Sequence, residues 1–230
     1  MDLLFILASL ILVAFNTIFA PIISSLYYKG DMHKLSYMYK SITKWVVAIN
    51  LVAFSLILLF SKDIMHLFGA EYMSGAEALI LIALGEVVNA ATGSVGLINT
   101  MTGHPEYEIY IGILVILVSG FTNYLFIPIW GINGAALASL VTVWLSNLIR
   151  LALVYKNHKM HPYNFEYLKV IGACFISFCI VYILKSIFHI SWNIDLFLFS
   201  GMYLIIFVLV SIIFGLSEAD KDIIQRWRNS

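Results

Sequence analysis

Charged residues are scarce in this sequence. They make up 11% of the 230 residues, whereas 62% are apolar, and a typical soluble domain is about 25% charged. So few polar side chains cannot cover the surface of a water-soluble globule, which argues against a soluble enzyme, a nucleic-acid-binding protein and a disordered chain. The thirteen basic and thirteen acidic residues cancel, so no net field would attract nucleic acid or an acidic partner.

Cysteine and recognisable catalytic motifs are equally scarce. The two cysteines, Cys174 and Cys179, lie five residues apart in one apolar segment. They would point to different sides of a helix, so we interpret them as small buried hydrophobic residues. We find no Cys/His spacing typical of zinc, no Ser-His-Asp set and no glycine-rich phosphate loop. Histidines and glutamates between the apolar segments are interpreted as solvated loop residues. The sequence therefore predicts no enzyme, no metal site and no cofactor.

Long apolar runs are what the sequence has instead. A helix needs about 20 residues to cross a bilayer, and seven segments reach or approach this length. Continuous runs such as Ile205–Ile213 lack the alternation of a β-barrel strand. The prediction is an all-α, polytopic membrane protein with about seven transmembrane helices. The predicted spans are Leu3–Tyr28, Trp45–Phe60, Ala78–Asn99, Ile109–Ile129, Gly134–Tyr155, Leu168–Phe188 and Ile194–Leu216.

Basic residues lie almost entirely on one side of this arrangement. Eleven of the thirteen fall between spans one and two, beside the connection of spans five and six, or in the tail, and only Lys62 and Lys185 fall on the other side. The positive-inside rule then predicts an external amino terminus and a cytoplasmic carboxyl terminus. Because only Met1 and Asp2 precede the first span, we expect that the natural protein begins earlier, with an odd number of spans missing, or that the gene product is truncated.

The spans fall into two groups. Residues 1–155 contain five spans with polar and small residues, whereas residues 156–216 contain two spans that are almost uniformly apolar after Cys174 and are predicted to be peripheral and lipid-facing. Two segments have amphipathic helical spacing, Lys34–Trp45 and the cytoplasmic tail at residues 217–230. Membrane anchoring explains both, and a surface for a partner protein is the alternative.

Span three carries the most informative polar residues. Glu86 is the only ionisable residue deep in a predicted span, and its charge there would cost on the order of 3 kcal/mol, so it should face protein or water. A polar stripe at helical spacing includes it: Glu86, Asn89, Gly93, Gly96 and Thr100. This stripe predicts either a cavity wall with a proton or cation site, or a close contact between helices.

Two further candidates lie on other spans. Asn16 belongs to a weaker polar stripe on span one, and Arg150 lies about one turn from the cytoplasmic end of span five. Arg150 can extend to the membrane surface, and contact with an anionic head group is the alternative. Asn50 and Asn147 are single amides within spans, and we interpret each as a hydrogen bond between helices.

The segment Asn123–Ala136 (NYLFIPIWGINGAA) resembles the N-x-L-x-I-P-x-x-G-x-x-G-A-A turn of polysaccharide transporters. These are the O-antigen or lipid-linked oligosaccharide flippases, which share a superfamily with multidrug exporters and lipid II flippases. Phe68–Tyr72 is similar to the F-G-x-x-Y element of this family, and Pro21 before a basic segment also fits. The family usually has a basic residue after the glycine matched by Gly103, but His104 stands here. A head-group role at that position therefore lacks support.

The turn also has a physical explanation. Pro128 would end span four, Gly131 would permit a tight external reversal, and Gly134 with the two alanines after it would let span five start against its neighbour. We therefore predict a structural turn at these three residues.

The resemblance implies a fold. Members of the family have twelve to fourteen spans in two lobes around a central cavity, and this chain resembles spans eight to fourteen. It would form most of the carboxyl-terminal lobe plus two peripheral helices. Span eight of such a protein runs from outside to inside, and the basic residues independently give Leu3–Tyr28 that direction. The missing amino-terminal lobe is then an expected partner.

The resemblance also implies a function, the flipping of undecaprenyl-linked oligosaccharide across the bacterial cytoplasmic membrane by alternating access. Glu86, Asn89 and Asn16 are the candidate cavity residues, Arg150 is a candidate contact for the head group or gate, and coupling to H⁺ or Na⁺ through Glu86 is a hypothesis. The other expected partners are the lipid-linked oligosaccharide, membrane lipids, a glycan polymerase and glycosyltransferases, but not nucleic acid.

Other functions stay open at this point. A multidrug or cation antiporter of the same superfamily, or an inactive truncated remnant, would have the same spans. A membrane glycan polymerase or ligase would need a large external loop with catalytic residues, and the sequence has none between these spans. A seven-helix receptor or retinal protein is the least favoured alternative, because Ile194–Leu216 has no central lysine for a Schiff base.

Overall fold

The described part of the chain is built from helices. A computed structural model describes residues 16–188 and 192–214, and the regular elements in these ranges are α-helices and one short 3-10 helix. Helix α1 is described for residues 16–28. The elements after it are α2 (Met32–His66), the 3-10 helix (Ala70–Gly75), α3 (Ala76–Thr92), α4 (Val95–Met101), α5 (Glu106–His158), α6 (Phe165–Ile187) and α7 (Trp192–Ile213).

Five described stretches are long and apolar enough to cross a membrane. They are Met32–His66, Ala70–Thr92, Glu106–His158, Phe165–Ile187 and Asp195–Ile213. The prediction of an all-α, multi-pass membrane protein is thus confirmed. The first part of predicted span one, the end of predicted span seven and the amphipathic tail at residues 217–230 lie outside the described residues.

Helix α5 contains two membrane spans. Its 53 residues would extend about 80 Å as a straight helix, whereas the hydrocarbon core is about 30 Å thick. The backbone leaves helical geometry at Gly131, with φ 54° and ψ −126°, and a Cβ atom on Gly134 would overlap the backbone carbonyl of Phe126. Arg150 and Glu108, near the two ends of α5, form an ion pair at 2.8 Å. Helix α5 is therefore a hairpin, with its reversal where the sequence places the turn.

Helix α2 combines two segments that the sequence analysis treats separately. The amphipathic segment Lys34–Trp45 and the span after it form one helix of 35 residues, and Asp31 caps this helix by accepting a hydrogen bond from the Lys34 N–H at 3.1 Å. The backbone leaves helical geometry at Phe60, with φ −128° and ψ 17°, so α2 is kinked there. The part before this kink is about 42 Å long, so some of it extends beyond the hydrocarbon core. Leu35 is fully buried within the protein, so this part of the amphipathic face contacts other helices rather than a membrane surface.

A compact apolar core joins α1, α2, α4 and the end of α5. Most of its residues are large and fully buried, and their close packing holds the helices together. This core holds in place the elements that surround the cavity described below. Its members are Phe19, Ile23, Leu26, Leu35, Tyr39, Val95, Ile98, Val154 and Met160.

The chain divides into two compact units. The first ends at Pro162 and the second begins at Tyr163, a few residues after the division that the sequence analysis places at residue 155. The second unit contains α6 and α7, which pack on each other. Its first helix begins at a cap in which Asn164 accepts hydrogen bonds from the N–H groups of Glu166 and Tyr167.

Candidate functional site

A polar cavity lies in the first unit, between the ends of α3 and α4 and both spans of α5. Its volume is about 360 Å³, which is within the range of small-ligand sites. Amide, hydroxyl and charged side chains make up much of its wall. The lining residues are Asn16, Asn89, Gly93, Ser94, Val95, Gly96, Leu97, Thr100, Glu108, Asn147 and Arg150.

A break in predicted span three creates this cavity. The expectation of one helix over Ala78–Asn99 is wrong at Gly93, because α3 ends at Thr92 and α4 begins at Val95. Gly93 has φ 67° and ψ −149°, a conformation that essentially only glycine adopts. A Cβ atom at this position would also overlap the side chain of Thr43 on α2. The close approach of α2 and the positive φ both require glycine here.

A buried tyrosine stabilises the break. The last carbonyl groups of a helix have no partner within the helix, and a buried carbonyl without a hydrogen bond is unfavourable. The hydroxyl group of Tyr39, on α2, donates a hydrogen bond of 2.6 Å to the Thr92 carbonyl oxygen. Because Tyr39 is fully buried, this bond is shielded from water and fixes the end of α3.

The charged part of the cavity is an arginine–glutamate pair. Arg150 Nε lies 3.1 Å from Glu108 Oε1 and 3.0 Å from Oε2, and Arg150 Nη2 lies 2.8 Å from Oε2. This is the two-pronged geometry in which a guanidinium group binds a carboxylate most strongly. The hairpin of α5 brings the two residues together although 42 positions separate them.

Amide side chains surround this pair and connect neighbouring elements. The Ser94 hydroxyl donates to Asn16 Oδ1, and so joins the α3–α4 connection to α1. The Thr92 hydroxyl lies 3.2 Å from Asn147 Oδ1 and joins α3 to α5. An arginine, a carboxylate and three asparagines therefore present donors and acceptors to one space, which suits a polar or anionic ligand.

Three of the four sequence-predicted site residues line this cavity. They are Asn16, Asn89 and Arg150, from α1, α3 and α5. The prediction that Glu86 lines the cavity is not matched, since Glu86 lies one helical turn before Asn89, is largely buried and is absent from the cavity wall. Its Oε2 accepts a hydrogen bond of 3.4 Å from Asn89 Nδ2, so Glu86 contacts a cavity residue without lining the cavity itself.

Three polar residues of the wall, Ser94, Glu108 and Asn147, are not among the sequence-predicted site residues. Glu108 is one of the glutamates that the sequence predicts to be solvated loop residues, whereas it lies in the first turn of α5 and faces Arg150. Asn147 was interpreted as a hydrogen bond between helices, and it makes one with Thr92, but it also lines the cavity. Asn50 instead donates to the Val46 carbonyl of its own helix, at 3.0 Å. The turn predicted at Gly131 is the signal that could have placed Glu108 beside Arg150, because it folds the two spans against each other.

The described residues include no group of three or more His, Cys, Asp or Glu side chains that could hold a metal ion. The amide, hydroxyl and charged groups that line the cavity can bind a ligand through hydrogen bonds and charge.

The fold and the cavity define a class of protein, the multi-pass helical membrane proteins in which a broken helix borders a polar site, as in many secondary transporters. The chain is similar to a solved structure of the lipid II flippase MurJ in an inward closed conformation, with a TM-score of 0.68 and 17% sequence identity. The match covers 96% of this chain and 47% of the MurJ chain. This chain thus spans about half the length of that flippase and shares its fold.

No protein-family model and no curated protein sequence matches this chain. The likeness to MurJ is a likeness of fold, and it agrees with the helical membrane fold that the sequence predicts. The three-dimensional match therefore supports the fold that the sequence resemblance implies.

Proposed function

We propose that this chain forms one lobe of a flippase that moves a lipid-linked oligosaccharide across the bacterial cytoplasmic membrane by alternating access. The observation that carries the proposal is the polar cavity, with its arginine and three asparagines, inside a fold similar to half of MurJ. The other half of the transport path would come from an amino-terminal lobe, as the sequence resemblance implies.

The cavity suits the chemistry of such a substrate. A lipid-linked oligosaccharide carries a diphosphate and sugar hydroxyl groups on a long apolar chain. A guanidinium group binds phosphate oxygens in pairs, so Arg150 would bind the diphosphate. The amides of Asn16, Asn89 and Asn147 would exchange hydrogen bonds with sugar hydroxyls. The apolar tail would stay in the bilayer, against the exposed apolar faces of the helices.

The position of Arg150 also suits entry from the cytoplasm. The distribution of basic residues predicts that the end of α5 after Arg150 lies on the cytoplasmic side. The cavity would then receive a head group made inside the cell, and rocking of the two lobes would expose it outside. Glycosyltransferases and a glycan polymerase, before and after this step, are the corresponding proposed partners.

Ion coupling is a separate part of this proposal. Glu86 is largely buried and bonded to the cavity residue Asn89, so binding of H⁺ or Na⁺ at Glu86 would change the hydrogen bonding of the wall. In the complete transporter, Glu86→Gln should abolish the dependence of flipping on an ion gradient. Unchanged flipping with unchanged ion dependence would contradict this role.

Binding tests the main proposal directly. We would place the full chain in lipid nanodiscs and titrate a fluorescent undecaprenyl diphosphate oligosaccharide. We expect saturable binding that Arg150→Gln weakens about tenfold or more, because a charge-assisted, two-pronged contact is lost. Lys156→Gln is the matched control, since Lys156 is an exposed cation on the same helix outside the cavity. Absence of saturable binding, or equal losses in both variants, would contradict the proposal.

A further inference from the structure

We propose that Glu108 is a built-in competitor of the substrate for Arg150. In the empty cavity Glu108 occupies the guanidinium group, and the diphosphate of a lipid-linked substrate takes its place. Glu108 would therefore lower and tune the affinity for diphosphate. This inference rests on the proposed function and adds to it the residue that sets the strength of head-group binding.

The geometry of the pair supports exchange of one anion for another. Glu108 engages one edge of the guanidinium group, formed by Nε and Nη2, through three contacts of 2.8–3.1 Å. None of the hydrogen bonds of the described residues uses Arg150 Nη1. Carboxylate and phosphate oxygens match this fork in the same way. A phosphate can thus begin to bind at the open edge and complete its binding by replacing the carboxylate.

Access to the pair is also open. The side chains of Arg150 and Glu108 are 22% and 29% exposed, and both line the cavity. Both groups therefore remain within reach of a ligand in the cavity. The pair lies against Gly96 on α4, where a Cβ atom would be 3.1 Å from Glu108 Oε1 and 3.3 Å from Arg150 Nε.

The displaced glutamate would not become a buried, isolated charge. Glu108 is the third residue of α5, and the first turn of a helix stabilises a negative charge. Its partial exposure also allows hydration. Arg150 has no comparable alternative among the cavity residues, because Glu108 is the only acidic side chain in the described cavity wall. When the diphosphate replaces the Glu108 carboxylate, Arg150 pairs with a group of greater negative charge, and the released carboxylate is solvated.

Two sources could supply the phosphate, a lipid-linked diphosphate or the phosphate of an anionic phospholipid. We assign the lipid-linked diphosphate, because the asparagines beside Arg150 add sugar-binding groups that a simple phospholipid would leave unused. Nanodiscs prepared with and without phosphatidylglycerol distinguish these sources. Competition by phosphatidylglycerol measures binding of the phospholipid phosphate. Titration of undecaprenyl diphosphate oligosaccharide in neutral phosphatidylcholine measures binding of the lipid-linked diphosphate.

The test is a double-mutant cycle on the full chain in phosphatidylcholine nanodiscs. We expect Glu108→Gln to tighten binding of the fluorescent undecaprenyl diphosphate oligosaccharide roughly threefold to tenfold, since a competing charge is removed. The same variant should lower the melting temperature of the ligand-free protein. Arg150→Gln and the double variant should bind equally weakly, because Glu108 then has nothing to compete for. Glu108→Asp has a shorter side chain and should give a smaller gain in affinity. This variant also tests the inference if Glu108→Gln does not fold.

If Glu108→Gln raises the affinity for the probe but lowers the stability of the ligand-free protein, Glu108 competes with the ligand. A purely structural role would not raise the affinity. If Glu108→Gln and Glu108→Asp weaken or do not change binding while the unmodified chain binds, the inference fails and the proposed function stands. A chain that binds no probe contradicts both. If Glu108→Gln strengthens only the competition by phosphatidylglycerol, and not the binding of the undecaprenyl diphosphate oligosaccharide, the assignment of the lipid-linked diphosphate is wrong.

Discussion

The two compact units treat polar residues differently. The first unit buries many polar side chains within its apolar segments, among them Asn50, Glu86 and Asn147. In the described residues of the second unit the buried polar side chains are Ser177 and Asp195, whereas large apolar side chains such as those of Phe175 and Phe197 are exposed. Exposed apolar side chains on a membrane helix face lipid, and buried polar ones face protein or a cavity.

The backbone of the two units differs in the same way, since it is irregular in the first unit and regular in the second. In the first unit a helix breaks at Gly93 and a hairpin turns at Gly131, and tyrosine, threonine and asparagine side chains bond across the α3–α4 break. Helices α6 and α7 have helical backbone throughout their described lengths. Irregular backbone at membrane depth is tolerated where it is buried in protein or lines a cavity, and the break at Gly93 lines the polar cavity.

The largest expected effect comes from glycine at the break. Gly93→Ala should destabilise the protein by about 2–4 kcal/mol, because the new Cβ meets Thr43 and the backbone conformation is one that alanine avoids. Gly201→Ala on α7 is the matched change in the second unit, where a Cβ meets nothing within 4 Å. It should be neutral or stabilise by up to about 1 kcal/mol. Denaturant unfolding in detergent measures both.

A Gly93→Ala variant as stable as the parent would show that α3 and α4 join in another way. Equal losses from the two glycine variants would remove the contrast between the units.

A smaller effect is expected from the tyrosine that caps the break. Tyr39→Phe should destabilise the protein by about 1–3 kcal/mol, because it leaves the buried Thr92 carbonyl without this hydrogen bond. Tyr182→Phe on α6 serves as the control, since the Tyr182 side chain is 60% exposed and should change stability by less than about 0.5 kcal/mol. Thermal unfolding of the two variants, with hydrogen exchange at α3, gives the comparison. Faster exchange after Tyr182→Phe than after Tyr39→Phe would contradict it.

Much of this fold was predictable from the sequence, because hydrocarbon permits few structures. Apolar length alone predicts helices, and the Pro128–Gly131–Gly134 spacing predicts a reversal where α5 turns. The break at Gly93 was not predicted. A glycine in an apolar run is equally compatible with a continuous helix, and the decisive facts are the approach of Thr43 and the bond from Tyr39, which come from α2.

The candidate site was predictable in part for the same reason. Asn16, Asn89 and Arg150 were candidates because polar groups inside spans are unfavourable unless they face protein or water. Glu108 carried no such signal, since a glutamate at the start of a span resembles an ordinary loop residue. Its pairing with Arg150 depends on the hairpin, which brings together residues 42 positions apart. Helical spacing placed Glu86 on the same face as Asn89, but spacing does not reveal where along that face the cavity ends.

The smallest expected effect lies in the second unit, at the ion pair between Lys185 Nζ and Asp195 Oδ2, 3.1 Å apart. The Lys185 side chain is 26% exposed and the Asp195 side chain 9%, so losing one partner should not be symmetrical. Lys185→Met leaves a nearly buried carboxylate without this cation and should cost about 1–2 kcal/mol, whereas Asp195→Asn leaves an ammonium group that reaches water and should cost less than about 1 kcal/mol. Unfolding of both variants in detergent measures the difference. A larger loss in Asp195→Asn would mean that the ammonium group depends on the pair more than its exposure indicates, and that even the simpler unit contains a charge held by protein.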